Sequence, residues 1–95
     1  MRTEWDPSKD EANQKKHGVS FTEAKEVFED PLQIGVLDER FDYFEERWIV
    51  IGQSGSGRIL VVAALYTFDE QHEEILRIIS AREATPHEKR QYEGP

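Results

Sequence analysis

The chain contains no cysteine, which excludes disulfides and every metal site built on thiolates. It also lacks a long apolar run. The longest, Ile59 to Tyr66, falls far short of the ~20 residues that span a bilayer. Nothing near Met1 has the charged-then-apolar pattern of a secretory leader, so a soluble cytoplasmic protein with no membrane partner is the expectation. Positive charge is scarce: 12 Lys and Arg stand against 20 Asp and Glu, for a net charge of −8. A broad basic surface for nucleic acid is thereby excluded, because phosphate neutralisation supplies most non-specific affinity. Histidine is scarce too. His17, His72 and His87 show no helical ligand spacing and no HExxH, so neither a metal nor another cofactor is expected.

What is present is a chain of 95 residues, 37% apolar and 34% charged. Its apolar residues come in runs, which separates it from disordered sequences, and its length fits one domain, residues 1–95. The charge is uneven. From Arg77 to the end, Arg77, Arg82, Lys89 and Arg90 face Glu83, Glu88 and Glu93, the only stretch with a positive balance. Any phosphate site is expected to draw on it.

Asp6-Pro7-Ser8 starts a helix, with a capping carboxylate and proline at the first helical position. The helix runs to His17, where Gly18 stops it. Only Ala12 is apolar within it, and Lys9, Asn13 and Lys16 share one face. Ser20-Phe21-Thr22-Glu23 is a capping box. Phe21, Ala24, Val27 and Phe28 then line one side of a second helix, predicted to reach Glu29 before Asp30-Pro31 ends it. Four strands follow: Ile34–Leu37, Arg47–Ile51, Ile59–Tyr66 and Ile75–Arg82. The last three are joined by short polar or glycine-rich turns and are expected to pair antiparallel. Thr85-Pro86-His87-Glu88 opens a short closing helix to Tyr92. The fold class is α+β, with two N-terminal helices, a mainly antiparallel sheet of four to five strands, and a short C-terminal helix.

Two patterns resemble sites and are not. Gly52 to Arg58 is close to a phosphate-binding loop, but Arg58 stands for the lysine and Ile59 for the hydroxyl residue. The chain then enters a strand, so no helix terminus faces a phosphate and a hairpin loop is expected. Ser80 has no nucleophile elbow around it.

The arginines of the last strand are less easily dismissed. Arg77 sits between Leu76 and Ile78. Regular alternation places Arg77 and Arg82 on opposite faces unless a bulge intervenes. A covered arginine needs a carboxylate or a cleft, and both remain open for Arg77.

Trp5-Asp6, Lys9, Asn13, Lys16-His17-Gly18-Val19, Phe21, Phe28, Asp30-Pro31, the glycine-rich turn with Arg58, Arg77-Ile78-Ile79-Ser80-Ala81-Arg82, Ala84, Glu88 and Tyr92 together resemble the BrnT family of type II toxins. The resemblance spans nearly the whole chain, in order and spacing. It implies a RelE-like ribonuclease fold and RNA cleavage that halts translation. It also implies neutralisation by a BrnA-like ribbon-helix-helix antitoxin, with operator DNA bound only through that antitoxin. The chain departs from the family where an arginine often follows the Tyr-Thr of the central strand: here Phe68-Asp69 follows Tyr66-Thr67.

Metal-free RNA cleavage needs a base for the 2′-OH, cations for the phosphate and an acid for the leaving oxygen. Among the matched residues His17 suits acid–base work at neutral pH, with Lys16 a second candidate. Arg58, Arg77 and Arg82 are the phosphate candidates, and Arg82, at the strand end, is favoured over Arg77. Tyr92 is placed either on a stacked base, as a proton donor, or in the packing of the closing helix. The alternative is a catalytically inactive BrnT-like module that acts as a corepressor with a DNA-binding partner.

Overall fold

The computed structural model describes residues 1–39 and 46–94. In chain order the elements are β1 (Arg2–Glu4), α1 (Pro7–His17), α2 (Phe21–Val27), β2 (Ile34–Leu37), β3 (Glu46–Gln53), β4 (Ile59–Phe68), β5 (Glu74–Glu83) and α3 (Pro86–Glu93). The strands form one sheet in the order β1-β5-β4-β3-β2. All neighbours are antiparallel except β1, which lies parallel to β5. The fold is α+β, as the sequence predicts.

The predicted start and stop signals operate as local chemistry. Asp6 accepts the Ser8 N–H at 2.9 Å, and Gly18, at φ 69°, returns its N–H to the Gln14 carbonyl. Ser20 accepts the Glu23 N–H. Thr85 and Glu88 satisfy each other's backbone N–H groups in a complete capping box. α2 ends at Val27, short of the predicted Glu29. The N–H groups of Phe28, Glu29 and Asp30 turn to carbonyls three residues back, so the last turn tightens before Pro31.

The sheet is covered on both faces. On one, Val19 and the α2 residues Phe21, Ala24 and Val27 pack on Val50, Leu60, Val62, Ile78 and Ala81. Trp5 meets Phe21 edge-on, with ring centroids 6.3 Å apart. Gly52 permits this approach, since a Cβ there would stand 2.8 Å from Val27 Cγ1. On the other face, Ile51, Val61 and Ala84 form a smaller cluster with Ile49, Ile59 and Tyr92 of α3.

α1 has no apolar stripe, and its one buried residue is Asn13. The Asn13 amide donates to the carbonyls of Val19 and Ala81, at 2.9 and 2.8 Å, and accepts the Ala81 N–H at 3.2 Å. It occupies the edge of β5 as a neighbouring peptide would, beyond the end of the three-residue β1.

The β4–β5 register carries a bulge. Ala63 faces Ser80 and Ala64 faces Ile78, so Ile79 has no opposite number. The extra residue reverses the alternation. Arg82 stands opposite Val61 and Arg77 opposite Leu65. Val61 and Leu65 are four apart on one strand, so the two arginines share a face, the one that α3 partly covers.

Candidate active site

On that face β5 presents Arg77, Ser80 and Arg82 in series. Arg77 is half-exposed and meets Glu4 of β1 through Nη1 at 3.2 Å. Parallel pairing of β1 aligns Glu4 with Arg77, so the carboxylate comes from the strand that sequence analysis did not detect. Arg82 is held more fully. Its Nη1 and Nη2 donate to the two Glu88 oxygens at 2.7 and 2.9 Å, and Nη1 also reaches the Glu83 carbonyl at 3.3 Å. The fork pulls the Glu88 carboxyl down to about 2, with the Thr85 N–H adding to the effect against burial. Arg82 is raised by the same partner.

Arg47 stands on this face as well, in one row with Leu65 and Arg77. Its Nε lies 3.5 Å from Asp38 Oδ2. It was not among the sequence candidates, although, like Arg77, it is a cation set beside apolar residues of a strand. The signal available was the one used for Arg77.

The other expected residues lie elsewhere. Lys16 and His17 end α1 and are exposed, where their charge complements the negative end of the helix dipole. Arg58 is beside them: its Nη2 donates to the Gly18 carbonyl at 3.2 Å. The same guanidinium grips both oxygens of Glu23, through Nε at 3.0 Å and through Nη2. The hydroxyls of Ser54 and Ser56 donate to Glu23 at 2.7 and 2.8 Å. Arg58 foremost, then the two serines, hold the Glu23 carboxyl at about 2. The glycine-rich segment is therefore a hairpin loop clamped to α2, as the sequence predicts.

Tyr92 packs into the small apolar cluster, and its hydroxyl donates to Asp30 Oδ2 at 2.5 Å. Asp30 also accepts the N–H groups of Leu32 and Gln53. The Tyr92 hydrogen bond, ahead of the backbone donors, lowers the Asp30 carboxyl, and the same contact raises the phenol. Tyr92 thus ties α3 to the turn after α2.

The six expected residues form groups rather than a single cleft. Lys16, His17 and Arg58 gather at the end of α1, while Arg77, Arg82 and Tyr92 belong to the opposite face. The groups meet at the end of β5, where Glu83 lies 3.6 Å from Arg58 and the adjacent Arg82 holds Glu88. Among the described residues no three His, Cys, Asp or Glu side chains gather to hold a metal ion, and no helix is long and apolar enough to cross a membrane.

No curated protein matches the chain. Residues 5–88 match a family described as the ribonuclease toxin, BrnT, of type II toxin–antitoxin systems. The match takes in α1, the bulged strand and its arginines, and the first turn of α3, and on it the chain belongs to the BrnT family of ribonuclease toxins.

Proposed function

We propose that this chain is the endoribonuclease toxin of a type II system, that it cuts RNA without a metal ion and so halts translation in the cytoplasm. In this reading the antitoxin is a BrnA-like ribbon-helix-helix protein, which carries the toxin to operator DNA. A RelE-like fold accords with helices preceding an antiparallel sheet. The observation that carries the reading is the bulge at Ile79, which turns Arg77 and Arg82 toward the same side.

Their contacts divide the roles. Arg82 is locked by two Glu88 oxygens and a carbonyl, so it fixes the geometry of the face. Arg77 meets half-exposed Glu4 through a single nitrogen and retains donors for a phosphate, which reverses the sequence-based preference for Arg82. A guanidinium fork suits the charge that builds on phosphorus as the 2′-oxygen attacks. In the balanced step the 2′-OH gives its proton to a base, its oxygen bonds to phosphorus, and the bond to the 5′-oxygen breaks. That oxygen takes a proton, leaving a cyclic phosphate and a 5′-hydroxyl. Lys16 and His17 sit with Arg58, which orders the turn that follows them, on the other side of the sheet from Arg77, so His17 or Lys16 serves as the base only for an RNA that turns round the end of β5. Tyr92, its hydroxyl held by Asp30, is assigned to anchoring α3.

Purified protein incubated with RNA in the presence of a chelator tests this reading. Wild type is expected to cut. Arg77→Ala is expected to lose cleavage by about two orders of magnitude or more, as for removal of a transition-state donor, with the fold retained by circular dichroism. Unchanged cleavage by folded Arg77→Ala and Arg82→Ala removes the assignment. A corepressor without nuclease activity is the second reading. It is favoured by the fact that Arg58, Arg77 and Arg82 all already hold carboxylates. Folded wild-type protein that neither cuts RNA nor arrests growth favours that alternative.

A further inference from the structure

The β2 side of the sheet is both apolar and acidic. Among the described residues β2 has β3 as its one strand neighbour and ends the sheet. Val36 and Leu37 on it are 61% and 39% exposed. Edge strands are ordinarily blunted by charge, proline or a bulge, and the Ile-Gly-Val-Leu sequence of β2 has no charge or proline. On the face shared with Arg82, Ile34 pairs with Ile51 and Val36 with Ile49. These four side chains and α3 bound a groove of about 600 Å³, with Glu39 and Glu88 among its walls and, among the described residues, no Lys or Arg lining it.

We infer that the β2 edge and this groove receive an extended, cationic-apolar segment of the antitoxin as an added strand. The inference rests on the toxin reading above. An added strand gains affinity from main-chain hydrogen bonds and specificity from alternate side chains. Here apolar side chains enter between β2 and α3, while Lys or Arg side chains meet Glu39 and Glu88. The net charge of −8 steers such a segment toward the chain. Glu88 links docking to silencing, because it is also the carboxylate that holds Arg82. A cation reaching Glu88 competes with Arg82 for it, and the bound segment lies beside the arginine face.

The test titrates the full chain with the separately purified protein encoded by the adjoining reading frame, by calorimetry. Val36→Lys and Glu39→Lys are each expected to weaken binding about tenfold or more, the scale of a central interface residue. Phe68→Lys, which changes another exposed apolar residue, on β4, is expected to leave it unchanged, and thermal melts verify that all three fold. Val36→Lys is further expected to cut RNA as wild type does and to escape silencing. Loss of binding in Phe68→Lys but not in Val36→Lys, or no association with wild type, overturns the inference. If binding depends on Val36 but wild type cuts no RNA, docking stands and the nuclease reading falls.

Discussion

At the scale of single residues, Asn13 supplies what α1 lacks. The helix offers the sheet no apolar stripe, yet one buried amide satisfies two carbonyls and one N–H. Truncation leaves the Ala81 peptide without partners in a buried site, at a cost of about 2–4 kcal/mol. Asn13→Ala is therefore expected to lower Tm by roughly 10 °C or more in a calorimetric melt, and Asn13→Asp, which removes the donor, to do no better. Glu23 and Glu88 lead to a pH prediction. Both sit at about 2 in the fold against 4.5 unfolded. A depressed carboxylate stabilises above its unfolded pKa, and the benefit disappears as pH falls toward the folded value. Stability is thus expected to drop between about pH 5 and pH 2, by about 1–2 kcal/mol for each partly solvated pair. Glu23→Gln and Glu88→Gln are expected to flatten that acid limb in melts taken across the range, and an unaltered limb counts against both pairs. Which acid serves which arginine was not legible in sequence. With 20 carboxylates available, the choices of Glu4, Glu23 and Glu88 follow from tertiary approach alone.

At the scale of elements, caps and periodicity were legible and departures from regularity were not. Asp6-Pro7, Ser20 and Thr85-Pro86 announce their helices because a cap is a local hydrogen bond. β1 is three polar-leaning residues with no period to read, and it exists because β5 offers an edge. The bulge at Ile79 left no mark either, since an apolar residue suits either face of a covered strand. That single residue decides whether Arg77 and Arg82 cooperate, and strict alternation had set them apart. α3 also depends on tertiary contacts, for it buries no residue of its own fully. It is held by the Arg82–Glu88 fork, by the Tyr92 ring and by the Tyr92 hydroxyl on Asp30. Tyr92→Phe keeps the ring and loses one hydrogen bond to a carboxylate, worth about 1–2 kcal/mol where the acceptor is partly solvated. A Tm lower by roughly 5–10 °C with RNA cleavage unchanged is expected. Cleavage lost at unchanged Tm would instead make the phenol a participant in the chemistry.

At the scale of the molecule, the proposed activity asks an acidic chain to bind a polyanion. Sequence composition made this conflict plain, and the fold sets Arg47, Arg77 and Arg82 on one face of the sheet, each beside a carboxylate. The surrounding charge allows few phosphate contacts, which has a measurable signature. Each contact to single-stranded nucleic acid contributes about −0.7 to the slope of log affinity against log salt. If Arg77 and one further cation meet phosphates, the slope is about −1.4, against about −4 or steeper for a surface with six contacts or more. Fluorescence anisotropy between about 50 and 200 mM salt, with an RNA whose 2′-hydroxyls are methylated to prevent cutting, provides the measurement. Arg77→Ala is expected to make the slope shallower by about 0.7, whereas Lys89→Ala on exposed α3 is expected to leave it alone. A wild-type slope steeper than about −3 requires more phosphate contacts than two and therefore an RNA path that also engages the Lys16–Arg58 group around the end of β5.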